Sequence, residues 1–182
     1  MAILRPTRIV LLAALAWVTS GCATTTSRHS LPPLRTVARV DLARYAGTWF
    51  EIASFPQRFQ AGCVASSATY TVASAGLVTV VNRCRDRAFD GPERSVVGRA
   101  RVVDPTSNAK LEVSFQRPFW GAYWIVDLDP DYRWAVVGHP SRDYLWILSR
   151  TPQLDANTYD AILTGLRRQG YEVERLRRTP QP

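Results

Sequence analysis

Between residues 48 and 149, apolar and polar side chains alternate in a series of short segments, and this alternation constrains the fold more than any other feature of the chain. A period of two is typical of a β-strand with one buried face. Turn-forming residues, rather than crossover helices, separate the segments. The predicted strands are 48–54, 64–72, 77–83, 95–103, 109–116, 122–127, 132–137 and 144–149. We therefore expect an all-β fold, an eight-stranded antiparallel up-and-down β-barrel, because closure removes the exposed edges of the sheet.

The chain beyond the last predicted strand changes to the period of an α-helix. Its apolar residues recur at helical spacing: Tyr159, Ile162, Leu163 and Leu166. Asp155 is placed to cap the first turn, and Gly170 is a typical C-terminal stop. We expect one C-terminal α-helix at about 155–169, packed on the outside of the barrel, and a short edge strand within 171–176. A single helical turn capped by Asp41 is predicted before the first strand.

Residues 1–21 have the features of a targeting segment. Arg5 and Arg8 precede an apolar stretch of about ten residues, which is too short for a transmembrane helix of roughly 20. The sequence Thr-Ser-Gly-Cys at 19–22 resembles the lipobox of bacterial lipoproteins, although Thr19 stands where Leu or Val is usual. An ordinary signal peptide followed by an incidental cysteine is the alternative.

The lipobox resemblance makes residues 1–21 a signal peptide and Cys22 the acylated N-terminus of the mature protein. Several acyl chains anchor a protein stably in a membrane. Ala23 follows the cysteine, where Asp would retain a lipoprotein in the inner membrane. The resemblance therefore implies a lipid-anchored protein of the outer membrane that faces the periplasm. Residues 22–34 lack periodicity and are expected to form a tether, whereas 35–178 form the barrel domain.

The charge and the cysteines fit an exported protein. The formal net charge is +8, and it falls to +6 when Arg5 and Arg8 leave with the signal peptide. Export argues against a nucleic-acid partner, so the surplus of positive charge fits attraction to anionic lipid surfaces. The chain has three cysteines, and acylation of Cys22 leaves Cys63 and Cys84. We expect these two to form a disulfide in an oxidising compartment.

Three motifs, in order along the chain, resemble those of the lipocalin family. Tyr-Ala-Gly-Thr-Trp at 45–49 is similar to the signature in which Gly-x-Trp opens the first strand. Asp-Pro-Asp-Tyr at 129–132 occupies the place of the second motif, the turn before the seventh strand. Tyr-Leu-Trp-Ile-Leu-Ser-Arg at 144–150 is similar to the third, where an Arg closes the eighth strand. With the lipobox, the resemblance points to the bacterial outer-membrane members of the family, related to apolipoprotein D and the plant temperature-induced lipocalins.

The resemblance implies a structural plug at the closed end of the barrel. Gly47 would allow close backbone approach where the chain enters the first strand. The family places Trp49 beside the closing arginine, here Arg150, and a guanidinium over an indole face contributes about 2 kcal/mol when desolvated. We expect Gly47, Trp49 and Arg150 to stabilise the fold rather than to touch a ligand.

Alternation along the strands predicts which side chains face the interior. Arg99 and Arg101 must face solvent, so their neighbours face inward, and the same reasoning assigns the other strands. The predicted ligand-binding residues are Ala53, Tyr70, Gly98, Ala100, Val113, Phe115, Tyr144 and Trp146. Alternation leaves open whether Glu51 is buried with a partner or turned outward. It also leaves two inward sets for the sixth strand: Tyr123, Ile125 and Asp127, or Trp124, Val126 and Leu128.

An apolar tube with aromatic walls is typical of a site for a hydrophobic ligand. The resemblance favours a cavity, and we expect a fatty acid or lysophospholipid whose head group reaches the hydroxyls of Tyr70 and Tyr144, with no cofactor. Small eight-stranded barrels can also be filled by side chains, so a structural or interaction protein with a filled barrel is the alternative. An enzyme acting on a lipophilic substrate is a third hypothesis.

Signs of catalysis or metal binding are weak. The two histidines are His29 and His139, and neither a Ser nor a Cys stands in a nucleophile motif. Asp127, Asp129 and Asp131 alternate at a turn but lack the other ligands of an EF-hand. We predict no catalytic residue and no metal.

An aromatic cluster surrounds Pro118 and Gly121. Its members are Phe119, Trp120, Tyr123 and Trp124. We expect this cluster to be a buried part of the wall. If it is exposed instead, it would offer a surface for a homodimer or for contact with the bilayer.

Overall fold

The computed structural model describes residues 31–74 and 76–182; the expectations for the signal peptide, for Cys22 and for most of the tether lie outside these residues. The helices and strands are α1 (Leu42–Tyr45), β1 (Gly47–Ser54), β2 (Cys63–Ser74), β3 (Leu77–Asp86), β4 (Glu93–Val102), β5 (Lys110–Gln116), β6 (Phe119–Leu128), β7 (Trp134–Gly138), β8 (Leu145–Ser149), α2 (Ala156–Arg168) and β9 (Arg177–Arg178). Short 3-10 turns occupy Arg58–Gln60 and Val173–Arg175. In these described ranges, no helix is long and apolar enough to cross a membrane.

Strands β1 to β8 form a closed antiparallel barrel, which confirms the predicted fold class. Consecutive strands pair, and β1 pairs with both β2 and β8. The start of β7 differs from the prediction by two residues, because Tyr132 has a φ of +60° and belongs to the turn. The predicted edge strand within 171–176 is instead a 3-10 turn, and the strand β9 follows it and pairs with Ala53 and Ser54.

Both helices begin at the predicted aspartate caps. The Asp41 carboxylate accepts from the backbone N–H groups of Ala43 and Arg44, and the Asp155 carboxylate accepts from the N–H of Thr158. These bonds satisfy donors that a helix start leaves unpaired. Helix α2 buries Tyr159, Ile162 and Leu166 against the outside of the barrel. Burial of each such side chain contributes about 2 kcal/mol.

Two apolar cores lie on opposite faces of the same wall. The outer core lies between α2 and the barrel, and the inner core fills the closed end. Strand β6 contributes to both: Trp124 and Val126 pack beneath α2, whereas Tyr123 and Ile125 face inward. A β-bulge after Ile125 then returns Leu128 to the inner core. Neither of the two alternations considered for this strand therefore holds along its whole length.

Candidate functional site

The barrel encloses a cavity of about 760 Å³, within the range of roughly 300–1,000 Å³ usual for ligand sites. It opens at the end where the β1–β2, β3–β4, β5–β6 and β7–β8 connections lie, since it is bordered by Phe59 and His139 of two of these connections and by Phe119 at the start of β6. Apolar and aromatic side chains dominate the deeper wall: Ala68, Tyr70, Val80, Val113, Tyr123, Val137, Trp146 and Leu148. The arrangement is chemically suited to an elongated apolar molecule.

Five of the eight side chains predicted to bind ligand border this cavity. They are Tyr70, Val113, Phe115, Tyr144 and Trp146. Tyr144 and Trp146 stack with ring centroids 6.1 Å apart and form one aromatic face of the wall. The other three predicted residues, Ala53, Gly98 and Ala100, occupy different places.

The assignment of Ala53 to the interior is wrong. A β-bulge in β1 leaves Ile52 as an extra residue: Glu51 lies opposite Leu148, and Ala53 lies opposite Ile147. The bulge reverses the alternation, so Ala53 is fully buried in the outer core beneath α2. Simple alternation from Trp49 could not reveal the extra residue.

Gly98 and Ala100 face inward, but neither borders the large cavity. A Cβ on Gly98 would lie 2.6 Å from Cδ1 of Phe115, so the Phe115 ring already fills the space that a larger residue would take. Ala100 lies deeper and borders a separate space of about 10 Å³, which is too small for a ligand. The expectation that these small residues leave room for ligand is therefore wrong.

Two tyrosines, Tyr70 and Tyr123, form the floor of the cavity, and a third, Tyr45, borders the small space of about 10 Å³ next to them. The Tyr123 hydroxyl lies 2.8 Å from the Tyr45 hydroxyl and 2.9 Å from the Tyr70 hydroxyl. Burial raises the pKa of Tyr70 to about 12 and raises the pKa of Tyr45 and Tyr123 well above the usual value. The floor is therefore a chain of neutral hydroxyls that satisfy one another.

Glu51 places a buried carboxylate in the cavity wall, which settles its orientation. Its oxygens accept hydrogen bonds from Ser54 Oγ at 2.9 Å, Gln60 Nε2 at 2.7 Å and Thr179 Oγ1 at 2.6 Å. Gln60 also accepts from Trp146 Nε1 at 3.0 Å. The carboxylate thus ties β1, the β1–β2 connection and the C-terminal segment together at one point of the wall.

The polar residues at the mouth of the cavity were not predicted from the sequence. Gln60, Asn82, Arg83, Arg94 and His139 all border the cavity. For Asn82 a signal existed, because it shares the period-two face of Val78 and Val80. The others depend on how the connections fold. Arg94, for example, donates to the carbonyls of Phe59 and Ala61 and so holds the β1–β2 connection over the mouth.

His139 belongs to the turn between β7 and β8. Its Nδ1 accepts from the backbone N–H of Ser141 at 3.1 Å and lies 2.8 Å from the Ser141 hydroxyl. Burial lowers the pKa of the His139 imidazole, so the ring is neutral at the mouth at neutral pH. This pair is a local turn contact between neighbours in sequence.

The closed end has the geometry implied by the motifs. The Arg150 guanidinium carbon lies 3.8 Å from the Trp49 ring centroid, and Trp49 is fully buried. Arg150 also donates to the carbonyls of Arg44, Tyr45 and Thr48. Gly47 has a φ of +94°, and a Cβ there would lie 3.3 Å from Arg150 Nη1. The group lies below the tyrosine floor and does not border the cavity.

Cys63 and Cys84 form the expected disulfide, with Cα atoms 5.4 Å apart. The bridge joins the start of β2 to the end of β3, and both residues border the mouth. It therefore fixes the two strands where the barrel opens.

Asp129 holds the β6–β7 turn together through hydrogen bonds. Asp129 is buried and accepts two hydrogen bonds from the Arg133 guanidinium, each of 2.8 Å. Its Oδ2 also accepts from the backbone N–H groups of Asp131 and Arg133. The Arg133 hydrogen bonds lower the pKa of this carboxyl. Among the residues that the structure describes, no group of three or more potential ligands is arranged to hold a metal ion.

The chain matches the family model of a lipocalin-like domain over residues 40–181. It is 40% identical over 157 residues to temperature-induced lipocalin-1 of Arabidopsis thaliana, covering 81% of this chain and 83% of the relative. It is 37% identical over 178 residues to the outer membrane lipoprotein Blc of Citrobacter freundii, and the match covers 94% of this chain and 98% of the relative. Among solved structures, insecticyanin from Manduca sexta superposes with a TM-score of 0.68 at 21% identity, covering 84% and 86%, and this likeness concerns the fold.

Proposed function

We propose that this chain, which belongs to the lipocalin family, binds and carries a lipid with one acyl chain, either a fatty acid or a lysophospholipid. The observation that carries the proposal is the cavity of about 760 Å³, apolar at depth and open at one end. Lipocalin-like proteins are generally binding proteins, which fits this assignment. The cavity speaks against the alternative of a filled barrel.

The ligand enters with its acyl chain directed toward the closed end of the barrel. Val80, Val113 and Leu148 offer apolar contact along the cavity, and each buried methylene contributes about 0.8 kcal/mol. The buried Glu51 carboxylate disfavours an anionic head group beside β1 in the cavity wall. Arg83 and Asn82 border the mouth, where a carboxylate or phosphate remains partly hydrated. Tyr144, with a half-exposed side chain at the mouth, can also donate to the head group; the Tyr70 hydroxyl is already used in the floor.

The site of action is the outer membrane. Support comes from the lipobox at 19–22, from Ala23, and from the relatives of Citrobacter freundii and Escherichia coli that are named outer membrane lipoproteins. Acylated Cys22 then holds the barrel beside its source of lipid, facing the periplasm. The protein stores, moves or replaces single-chain lipids there, and so serves membrane maintenance under stress. A homodimer is compatible with this function.

Displacement of a fluorescent fatty acid tests the proposal. Val113→Trp places an indole in the cavity and is expected to weaken binding at least about tenfold, a loss of about 1.4 kcal/mol. Val97→Trp is the matched control, because Val97 points outward from the neighbouring strand β4 and is 63% exposed. An absence of binding by the wild type, or an equal loss in both variants, would favour the filled barrel.

Native mass spectrometry of the protein purified from membranes would identify the ligand and the oligomeric state together. The mass of the retained ligand distinguishes a fatty acid from a lysophospholipid. Conversion of a lipophilic substrate without added metal would instead support the enzyme hypothesis.

A further inference from the structure

We propose that the open end of the barrel docks onto an anionic bilayer surface, so that the mouth of the cavity faces the membrane. At three places at this end, in the β1–β2 and β3–β4 connections and at the β5–β6 corner, an exposed Phe lies within two residues of an exposed Arg. The pairs are Arg58 with Phe59, Arg87 with Phe89, and Arg117 with Phe119. We call these six residues the rim. The orientation relative to the membrane goes beyond the proposed function but rests on its lipid anchor.

The three Phe side chains of the rim are exposed to solvent. Phe59 is 62% exposed, Phe89 is 51% exposed and Phe119 is 72% exposed. The expectation of a buried wall around Pro118 is therefore wrong for Phe119 and for Trp120, which is also exposed. Apolar residues gathered at one end of a molecule mark a surface that meets a partner or a membrane. Phe59 and Phe119 also border the cavity, so an apolar surface continues from the rim into the ligand site.

The backbone of the rim is held in place by hydrogen bonds. Arg94 donates to the carbonyls of Phe59 and Ala61, and the N–H of Arg87 donates to the carbonyl of Gly62 at 2.6 Å. These bonds join the β1–β2 and β3–β4 connections. Because the two tips are fixed to each other, their Phe side chains stay presented at the open end.

The charges of the rim favour a lipid surface over a purely apolar partner. Arg58, Arg87 and Arg117 are exposed, and the Arg87 side chain retains 87% of its accessible surface. The nearby acids do not outnumber the arginines around them: Asp86 lies within ion-pair distance of both Arg87 and Arg94, and Glu93 within that of Arg83 and Arg85. With the exposed Asp90, residues 83–94 carry three acids against these four arginines. Arginine beside an exposed aromatic ring suits the interface, where the ring enters the head-group layer and the guanidinium meets phosphate.

The first described residues of the chain, Leu31 and Pro32, lie at the open end. Arg142 Nη2 donates to the carbonyl of Pro32 at 2.7 Å, and Leu31 packs against Gly170. Arg142 belongs to the β7–β8 connection, which lies at the open end. Eight residues, 23–30, separate Leu31 from Cys22 and span at most about 30 Å. A membrane anchor at Cys22 would therefore keep Leu31 within about 30 Å of the membrane surface.

Depth-dependent quenching tests the orientation in the full lipoprotein, purified from membranes and reconstituted in vesicles of phosphatidylethanolamine and phosphatidylglycerol. Ala88→Cys labels the rim with a fluorophore, and Thr106→Cys labels the opposite end as the control. The acylated Cys22 and the Cys63–Cys84 disulfide leave the introduced thiol as the reactive one. Head-group spin-labelled lipid is expected to quench the label at 88 at least twofold more than the label at 106. Equal quenching at both positions would overturn the proposal.

Matched variants separate the contributions of the rim. Phe59→Ser with Phe119→Ser is expected to reduce quenching at 88, and Arg117→Glu should reduce it in vesicles that contain phosphatidylglycerol. Arg39→Glu makes the same charge change on an exposed residue near the closed end and should leave quenching unchanged. Energy transfer between labels at 88 on two copies, without lipid quenching, would assign the rim to a second copy and overturn docking.

The test is independent of the proposed ligand. Fatty-acid displacement is measured for the same variants in solution. Retained binding with no lipid quenching would refute the orientation alone. Quenching without any binding of fatty acid would refute the proposed function alone.

Discussion

The Arg150 guanidinium covers the face of the buried Trp49 ring, with its carbon 3.8 Å from the ring centroid. The same guanidinium donates to three backbone carbonyls of the segment that leads into and begins β1, those of Arg44, Tyr45 and Thr48. Arg150→Ala should therefore lower the free energy of unfolding by about 3 kcal/mol, as both the cation–π contact and charged hydrogen bonds are lost. Urea unfolding gives the stability, and ligand displacement at a permissive temperature should change little.

Arg150→Lys is the control for this prediction. It keeps the charge but cannot present a planar fork to several carbonyls, so we expect an intermediate loss. A variant that loses affinity for ligand while keeping its stability would contradict the structural role of Arg150.

The Glu51 carboxylate is a second structural point that can be tested. Glu51→Ala removes the acceptor for Ser54, Gln60 and Thr179, and should cost about 2–3 kcal/mol because buried donors are left unpaired. Glu112→Ala on β5 is the control, since its partner Arg101 is half exposed and such surface pairs contribute about 0–1 kcal/mol. Chemical unfolding of the two variants measures their free energies of unfolding. Similar losses of stability in both would contradict the structural role of Glu51.

Asp129 should make stability depend on pH in the acid range. Because its pKa is lower in the folded state, its contribution is complete above the unfolded pKa of about 3.9 and disappears as pH falls through the folded pKa. Asp129→Asn should therefore cost about 1–3 kcal/mol at pH 7 and approach the wild type in strong acid. Asp131→Asn, at an exposed position, should track the wild type throughout. Thermal unfolding across pH measures this, and a constant difference for Asp129→Asn would contradict it.

The disulfide at the mouth should contribute measurably to stability. Cys63 and Cys84 are 21 positions apart, and a closed loop of this size is expected to contribute about 3 kcal/mol. The double variant Cys63→Ala/Cys84→Ala should unfold at correspondingly lower urea concentration, and reduction of the wild type should have the same effect. Mass mapping under non-reducing conditions that found both thiols free would remove the basis of this prediction.

Local patterns were sufficient to predict the barrel, both helix caps and the outer helix. The eight alternating segments and the Asp41 and Asp155 caps are local signals, and local signals survive folding when tertiary packing agrees with them. The inward faces were less predictable. Ala53 was misassigned because a bulge inserts one residue, and Gly98 because the Phe115 ring from the adjacent strand occupies its inner side. The polar mouth depends on loop contacts such as those of Arg94, which no strand period encodes.

Helix α2 covers only one side of the barrel. The outer core joins β1, β6, β7 and β8 to the helix through Ile52, Val126, Val136 and Ile147. On the uncovered side, Leu77 and Val97 of β3 and β4 meet solvent. Amide hydrogens of β4 should therefore exchange faster than those of β7, and hydrogen exchange would detect the difference. The strands on the β3–β4 side lack the support of the helix, so we expect a bulkier ligand to be admitted by displacement of that side rather than of the side under α2.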